Sequence, residues 1–375
     1  MTNHNIKRLR VFQAYPLIKK VISSFCLLFL VSCIHKDNLN GIKEKNINFI
    51  RATDLSSYPE IKRNNTVYYD YDGSSKDLIS ILKNNGVNTI RLRLWVNPEN
   101  EHSGFNEVKQ FSEELKSKGL KIWLTLHYSD TWADPGQQKV PGLWKNASFT
   151  EVADSVYAYT KKIVGQIKPD YIQIGNEINS GFLHPYGSIN NIDHFKELLQ
   201  KGILAVREIS SNTKIILHYA GTENANWFFQ NVAMLDYDII GLSYYPIWHG
   251  KYLTTLKNSM NDLSLTYNKK IVIAETAYPF TLNWNDWTNN IVGLENQLIL
   301  PEYPASELGQ KYFIKSIINL INELPNNNGI GFCYWGAELV SWKGKQSTNG
   351  SVWENQALFD FNHKALPSLK EFNLK

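Results

Sequence analysis

The chain has 375 residues, 43% of them hydrophobic and 20% charged, with a formal net charge of only +4. That apolar share supports a sizeable core and excludes global disorder. The near-neutral balance excludes the basic footprint of a nucleic-acid-binding protein. Aromatics are abundant, with 11 Trp, 20 Tyr and 17 Phe. Some fill a core, but many sit beside Asp, Asn, His and Gly, a placement that suits ligands with both C–H and O–H surfaces.

The N-terminus reads as a targeting segment. Lys7, Arg8, Arg10, Lys19 and Lys20 precede "VISSFCLLFLVSC", an apolar run too short to span a bilayer comfortably and laid out as an export signal. Leu30-Val31-Ser32-Cys33 resembles a bacterial lipobox, which predicts cleavage before Cys33 and lipidation of its thiol. A plain signal peptide or an uncleaved anchor is the alternative. On this reading residues 1–32 are the lipoprotein signal peptide, 33–46 a polar flexible tether and 47–375 one folded domain. With Cys26 removed and Cys33 lipidated, Cys333 has no partner, so no internal disulfide is expected. The expected location is exported and membrane-anchored, at the cell surface or facing the periplasm.

From residue 47 onward short β-rich runs alternate with helical stretches. Strands are expected at 47–54, 89–95, 121–128, 170–175, 214–219, 238–245, 270–275 and 329–335. Amphipathic helices are expected between them at 75–85, 107–118, 149–167, 191–210 and 306–323. Eight strands separated by helices fit a single-domain α/β fold, the (β/α)8 TIM barrel. The rival, a doubly wound sheet, would more often carry a Gly-rich phosphate turn after its first strand, where this chain has "TDLSSYPEI".

In such a barrel, reacting groups sit where strands end at the C-terminal face. Polar or aromatic residues recur at that position: Asp54, Arg91 with Arg93, His127, Glu177, His218, Tyr244 with Tyr245, Glu275 and Trp335. Glu177 and Glu275 form a carboxylate pair from strands four and seven, and glycosidic hydrolysis needs two carboxylates, one protonated and one ionised. Taken singly, either could equally be a structural partner for Lys or Arg. Period-two geometry puts Arg91, Arg93 and Trp95 on one face. Buried arginines need carboxylates nearby, and such an arginine would keep Glu275 ionised while a drier setting keeps Glu177 protonated. Asn176 offers an amide beside the acid. A metal centre of His127, His218 and His249 lacks any compact ligand spacing. The loops "HYSDTWADPGQQKVPGLW", "SYYPIWHG" and "GSVWENQALFDF" supply aromatic platforms and hydroxyl partners for an extended groove.

Seven segments then carry a resemblance: "ATDLSSYPEI", "IRLRLWVNP", "HYSDTWADPGQQ", "IQIGNEIN", "GLSYYPIWHG", "IAETAYPFT" and "GSVWENQALFDF". In this order, from about residue 49 to 362, they resemble glycoside hydrolase family 53, the arabinogalactan endo-β-1,4-galactanases. The resemblance implies a (β/α)8 barrel, retention of anomeric configuration, Glu177 as proton donor and base, and Glu275 as nucleophile. The candidate substrate-binding set is Asn176, Asp54, Arg91, Arg93, His127, Asp130, Trp132, Tyr244, His249, Tyr278 and Trp335. A galactan polysaccharide is the expected partner of a monomeric enzyme with no cofactor. Some relatives carry calcium in a late loop, but "NWNDWTNN" offers few carboxylates for it. Two stretches depart from the family pattern, "FLHPYG" after strand four and "YWGAELVSW" after strand eight, both in loops expected to line the groove. Two other readings stay open: another barrel endo-glycanase of mannanase or cellulase type, and a surface glycan-binding lipoprotein on an inactive barrel.

Overall fold

A computed structural model describes residues 49–373. The expected signal peptide, the tether and Cys33 lie outside the described residues. Eight parallel strands close a barrel: β1 (Ile50–Asp54), β2 (Thr89–Leu94), β3 (Lys121–Leu126), β4 (Tyr171–Ile174), β5 (Lys214–Ala220), β6 (Ile239–Ser243), β7 (Lys270–Thr276) and β8 (Gly329–Tyr334). Each strand pairs with the next in chain order, and β8 returns to β1 with Ile50 opposite Gly331. The main connecting helices are α1 (Leu78–Asn84), α2 (Phe105–Ser117), α3 (Phe149–Ile167), α4 (Ile192–Ile209), α5 (Ala225–Val232), α6 (Leu253–Tyr267) and α7 (Glu307–Asn322). After β8 a 3-10 turn, Pro367–Phe372, takes the place of an eighth helix.

Alternation along the strands divides the core in two. Ile90, Leu92 and Leu94 of β2, with Ile122, Leu124 and Leu126 of β3, join the layer packed against the helices. The opposite parity fills the interior, where Ile50, Ala52, Trp123, Tyr171, Ile216, Ile239, Val272, Ala274 and Cys333 form a separate cluster. This apolar plug occupies the lower barrel, so the polar residues of the same parity further along each strand are displayed at the C-terminal mouth.

Local signals fix the helix ends. Ser148 caps α3 by accepting from Glu151 N, while the Glu151 carboxylate accepts from Ser148 N, a reciprocal box that starts this helix at Phe149 as expected. The expected strand at 47–54 is described from Ile50, and the short α5 and the longer α6 were not anticipated. Barrel closure depends on Gly331. Its φ is +147°, and an added Cβ would lie 2.2 Å from Ile50 O on the neighbouring strand. Gly331→Ala is expected to destabilise the fold by roughly 1–3 kcal/mol through this overpacking, read as a lowered unfolding midpoint in urea. An unchanged midpoint would show that the β8–β1 seam relaxes freely.

Candidate active site

The mouth holds a cleft of about 750 Å³ whose floor is polar and whose walls are aromatic. Its floor is organised by Arg91, which is buried and points up from β2. Nη1 donates to Asp54 Oδ2 at 2.8 Å, while Nη2 donates to Glu275 Oε1 at 2.8 Å and to Asn176 Oδ1 at 2.7 Å. One guanidinium thus ties together the ends of β1, β4 and β7. Tyr245 donates its phenol to the other Glu275 oxygen, Oε2, at 3.0 Å. Both oxygens of Glu275 therefore accept strong hydrogen bonds, which favours the anion.

Glu177 has no such cation. The strand ends at Ile174, Gly175 turns with φ +78°, and Glu177 sits in the left-handed region at φ 47°. A Cβ on Gly175 would lie 2.5 Å from Ile178 Cγ2, so only glycine allows this tight exit. The turn aims the carboxyl into the mouth, where Ser243 donates to its Oε1 at 2.5 Å. An oxygen of Glu177 lies within 4.8 Å of one of Glu275. Burial first, and then the negative charge of Glu275, push Glu177 up to about 8. Burial leaves Glu275 raised as well, with Arg91 opposing it, Asp54 adding to it and the Tyr245 phenol opposing it. The Arg91 and Tyr245 hydrogen bonds, absent at Glu177, favour the shared proton on Glu177.

Asn176 is locked. Its Nδ2 donates to Ala133 O at 2.8 Å, and Oδ1 accepts from Arg91 and Gln173. One Nδ2 hydrogen is left for a ligand hydroxyl. His127 is neutral, its pKa lowered well below the usual range by burial and then by Arg91 and Arg93, and its Nδ1 accepts from Ala133 N. His249 is likewise driven down by burial, to about 4, and its Nδ1 accepts from Tyr245 N.

Arg93 is compensated differently from the expectation of a carboxylate partner. Its guanidinium lies 4.1 Å from the Trp132 ring centre and 4.9 Å from that of Trp95. It donates to Ser103 Oγ and His102 Nε2, and His102 passes the contact to Glu107. Cation–π stacking and dipoles stand in for the carboxylate. The wall continues through Trp335 and Trp353, with ring centres 4.4 Å apart, to Trp248.

Of the expected contact residues, Asp54, Arg91, Arg93, His127, Trp132, Asn176, His249 and Trp335 line the cleft with the two glutamates. Three are placed elsewhere. Tyr244 follows inward-facing Ser243, so alternation turns it outward, where its ring packs beside Phe313 and its phenol donates to Gly250 O. Tyr245, one step on, is the residue that faces the cleft. Tyr278 stacks on Phe313 and donates to Tyr303 O, pinning the loop after β7. Asp130 accepts from Asn97 N and Gly142 N, tying two loops behind the wall.

Among the described residues, Glu177, His218 and Glu275 form one compact group of metal-ligand types. His218 is ill suited to that role, because Nδ1 and Nε2 are both engaged in hydrogen bonds, and Glu275 is already paired with Arg91. In "NWNDWTNN" the one carboxylate is Asp286. Its oxygens accept from Thr288 N, Ser341 Oγ and Ser351 N, which does not fit the oxygen cage of calcium.

The sequence model of glycosyl hydrolase family 53 matches residues 50–372. The chain belongs to this family. It is 34% identical over 348 residues to the arabinogalactan endo-β-1,4-galactanase of Cellvibrio japonicus, covering 87% of this chain and 91% of that protein. It is 31% identical to the endo-β-1,4-galactanase of Bacillus subtilis, over 88% of this chain and 87% of that one. The solved family 53 catalytic domain of Ignisphaera aggregans superposes with a TM-score of 0.83 at 39% identity, over 89% of this chain and 98% of that domain. The protein is a glycosidase of family 53.

Within that family frame the two departing loops differ in consequence. "YWGAELVSW" brings Leu339 and Trp342 to the cleft. Its buried Glu338 accepts from Ser57 N, and burial followed by the charge of Asp54 pushes that carboxyl up to about 8. "FLHPYG" was expected to line the groove, but its residues lie outside the lining, with His184 bonded to Ser180 O in a small hairpin.

The raised pKa of Glu177 has a consequence for stability. Below pH 4.5 both folded and unfolded chains hold this proton. Between 4.5 and about 8 only the folded chain does, so Glu177 destabilises the fold increasingly as pH rises through that window. Glu177→Gln is expected to raise the unfolding free energy, by little near pH 4 and by on the order of a few kcal/mol near pH 8, read from urea unfolding at the two pH values. A pH-independent difference between the two proteins would contradict the assigned protonation.

Proposed function

We propose that this family 53 glycosidase is an endo-acting, retaining β-1,4-galactanase that cuts galactan and the type I arabinogalactan side chains of pectin. The observation that carries the mechanism is the pair of buried carboxylates on the cleft floor, one held as an anion by Arg91 and Tyr245 and the other kept protonated. The names of the Cellvibrio and Bacillus relatives support galactan over mannan or cellulose as substrate. An open, Trp-walled cleft suits attack within a chain rather than at its end.

In this reading Glu275 attacks the anomeric carbon while Glu177 gives its proton to the leaving oxygen. The Glu177–Glu275 approach of within 4.8 Å supports retention. Retaining pairs stand about 5 Å apart, whereas inverting pairs leave room for a water at roughly 6.5–9.5 Å. Once Glu275 is esterified its charge is gone, the repulsion that raised Glu177 falls, and Glu177 serves as base towards water. Asn176 would hold the 2-hydroxyl through its remaining Nδ2 hydrogen. Lipidation at Cys33, a membrane-anchored location and action as a monomer complete the proposal. They rest on the N-terminal sequence pattern and on a site built from residues of one chain.

Glu275→Ala and Glu177→Ala are each expected to lower kcat on linear β-1,4-galactan by at least about a thousandfold. Azide should rescue Glu275→Gly with an inverted product and Glu177→Ala with a retained one. Reducing-sugar release should appear on galactan and be absent on mannan and cellulose. Full turnover by either alanine variant would overturn the assigned roles, and faster release from mannan would replace the substrate. Galactan retardation in an affinity gel without released oligosaccharide would favour the binding-protein reading.

A further inference from the structure

Behind Glu177 runs a chain of side chains that the carboxylate mechanism does not use. Trp123, Gln173, His218 and Ser243 are fully buried and come from β3, β4, β5 and β6. Each link has one direction. Trp123 Nε1 can only donate, and it reaches Gln173 Oε1 at 3.3 Å, which identifies that atom as the oxygen. Gln173 Nε2 can therefore only donate; it faces His218 Nδ1 at 2.9 Å and also reaches Gly175 O and Asn176 Oδ1, each at 3.1 Å. The backbone N–H of Glu177 points at the same Nδ1 from 3.3 Å.

A proton on Nδ1 would face two donor-only groups, Gln173 Nε2 and Glu177 N–H, so Nδ1 is the unprotonated acceptor. Asn176 Oδ1 also lies 3.2 Å from Nδ1, but that oxygen already takes protons from Arg91 and Gln173. The imidazole proton is then on Nε2, which faces Ser243 Oγ at 2.8 Å. With its oxygen accepting from His218, Ser243 has a single proton, and the acceptor at 2.5 Å is Glu177 Oε1.

We propose that Ser243, oriented by neutral His218, is a positioning residue that confines the transferable proton of Glu177 to Oε2 and stabilises the Glu177 anion left after transfer. This rests on the reading of Glu177 as acid and base. The chain needs no rearrangement between the two steps, because Ser243 donates to Oε1 whether Oε2 carries a proton or not. In the first step the proton leaves Oε2 for the leaving oxygen, and in the second Oε2 takes one back from the attacking water.

The surroundings keep His218 neutral. Burial, then Arg91 of β2, His127 beyond β3 and His249 beyond β6 all act against its protonation. Glu177 itself faces Glu275 of β7, Arg91 of β2 and Asp134 in the loop after β3. Among these, Ser243 is the group that donates a hydrogen bond directly to the Glu177 carboxyl.

The test is the pH profile of kcat/KM on linear β-1,4-galactan for the parent, Ser243→Ala and Ser243→Thr enzymes. A hydrogen bond to the charged form lowers a carboxyl pKa, so its loss should move the alkaline limb upward by about one unit. Threonine, which keeps the hydroxyl, should restore the parent limb. An alanine variant that unfolds like the parent yet shows an unmoved limb would overturn the proposal. The native enzyme supplies a second reading that needs no variant. The 15N spectrum of His218 should show a neutral ring protonated on Nε2, and a proton on Nδ1 would equally overturn it. Azide reactivation of Glu177→Ala, run alongside, separates the two levels. Reactivation with an unmoved Ser243→Ala limb removes only the relay, whereas full unassisted activity of Glu177→Ala removes the acid/base reading beneath it.

Discussion

The guanidinium of Arg91 is the cation that touches the carboxylates of the cleft floor, and the difference between the two glutamates follows from its position. It contacts Asp54 and Glu275 directly, and no hydrogen bond joins it to the Glu177 carboxyl. Ionising Glu177 as well would place a further anion within 4.8 Å of Glu275. At the effective permittivity of such sites that repulsion is on the order of 3 kcal/mol, several times thermal energy. The asymmetry between two chemically identical side chains thus comes from which of them the arginine reaches. Arg91 reaches Glu275 because β2 and β7 project their ends towards the same axis, a consequence of barrel closure.

Much of this was legible in the sequence because the barrel converts a linear pattern into a radial one. Eight β-rich runs separated by helical stretches specified the strands, and inward parity on "TIRLRLW" put Arg91 and Arg93 at the mouth. Glu177 and Glu275 followed as the carboxylates at two strand ends. Parity also explains the error at Tyr244. The run "DIIGLSYY" places Gly241, Ser243 and Tyr245 inward, so the inward tyrosine could have been chosen by counting from Gly241. Asp130 and Tyr278 could not have been assigned that way. They lie in loops, where no period constrains direction, and their partners, Asn97 N, Gly142 N and Tyr303 O, are set by tertiary packing.

Acidic residues in the late loops show the same ambiguity resolved towards structure. Glu354 accepts from the backbone of Asn285, and Asp286 accepts from Thr288 and Ser351. The Glu354–Asn285 and Asp286–Ser351 contacts cross between the loops after β7 and β8. Carboxylates here satisfy backbone N–H groups that would otherwise be buried without partners. By bracing the two loops against each other they hold Trp353 against Trp335 and Tyr245, so the wall that faces a sugar is fixed from behind. Counting acids in a loop therefore says little about ligands until their acceptor capacity has been assigned.

The same accounting gives meaning to the strained turn at Glu177. A non-glycine residue at φ 47° is unfavourable by itself and persists only where its surroundings over-determine it. Here its N–H is held by His218, its carbonyl accepts from Gln138, and its carboxyl is held by Ser243. Those partners belong to β5, to the loop after β3 and to β6, so the conformation is set by several walls of the barrel at once. On the proposed acid/base role, Glu177 gains from this arrangement, since neither release nor recapture of the proton requires the backbone or the supporting hydrogen bonds to move. The reorganisation that water would demand around a carboxyl changing charge has been built into the fold in advance.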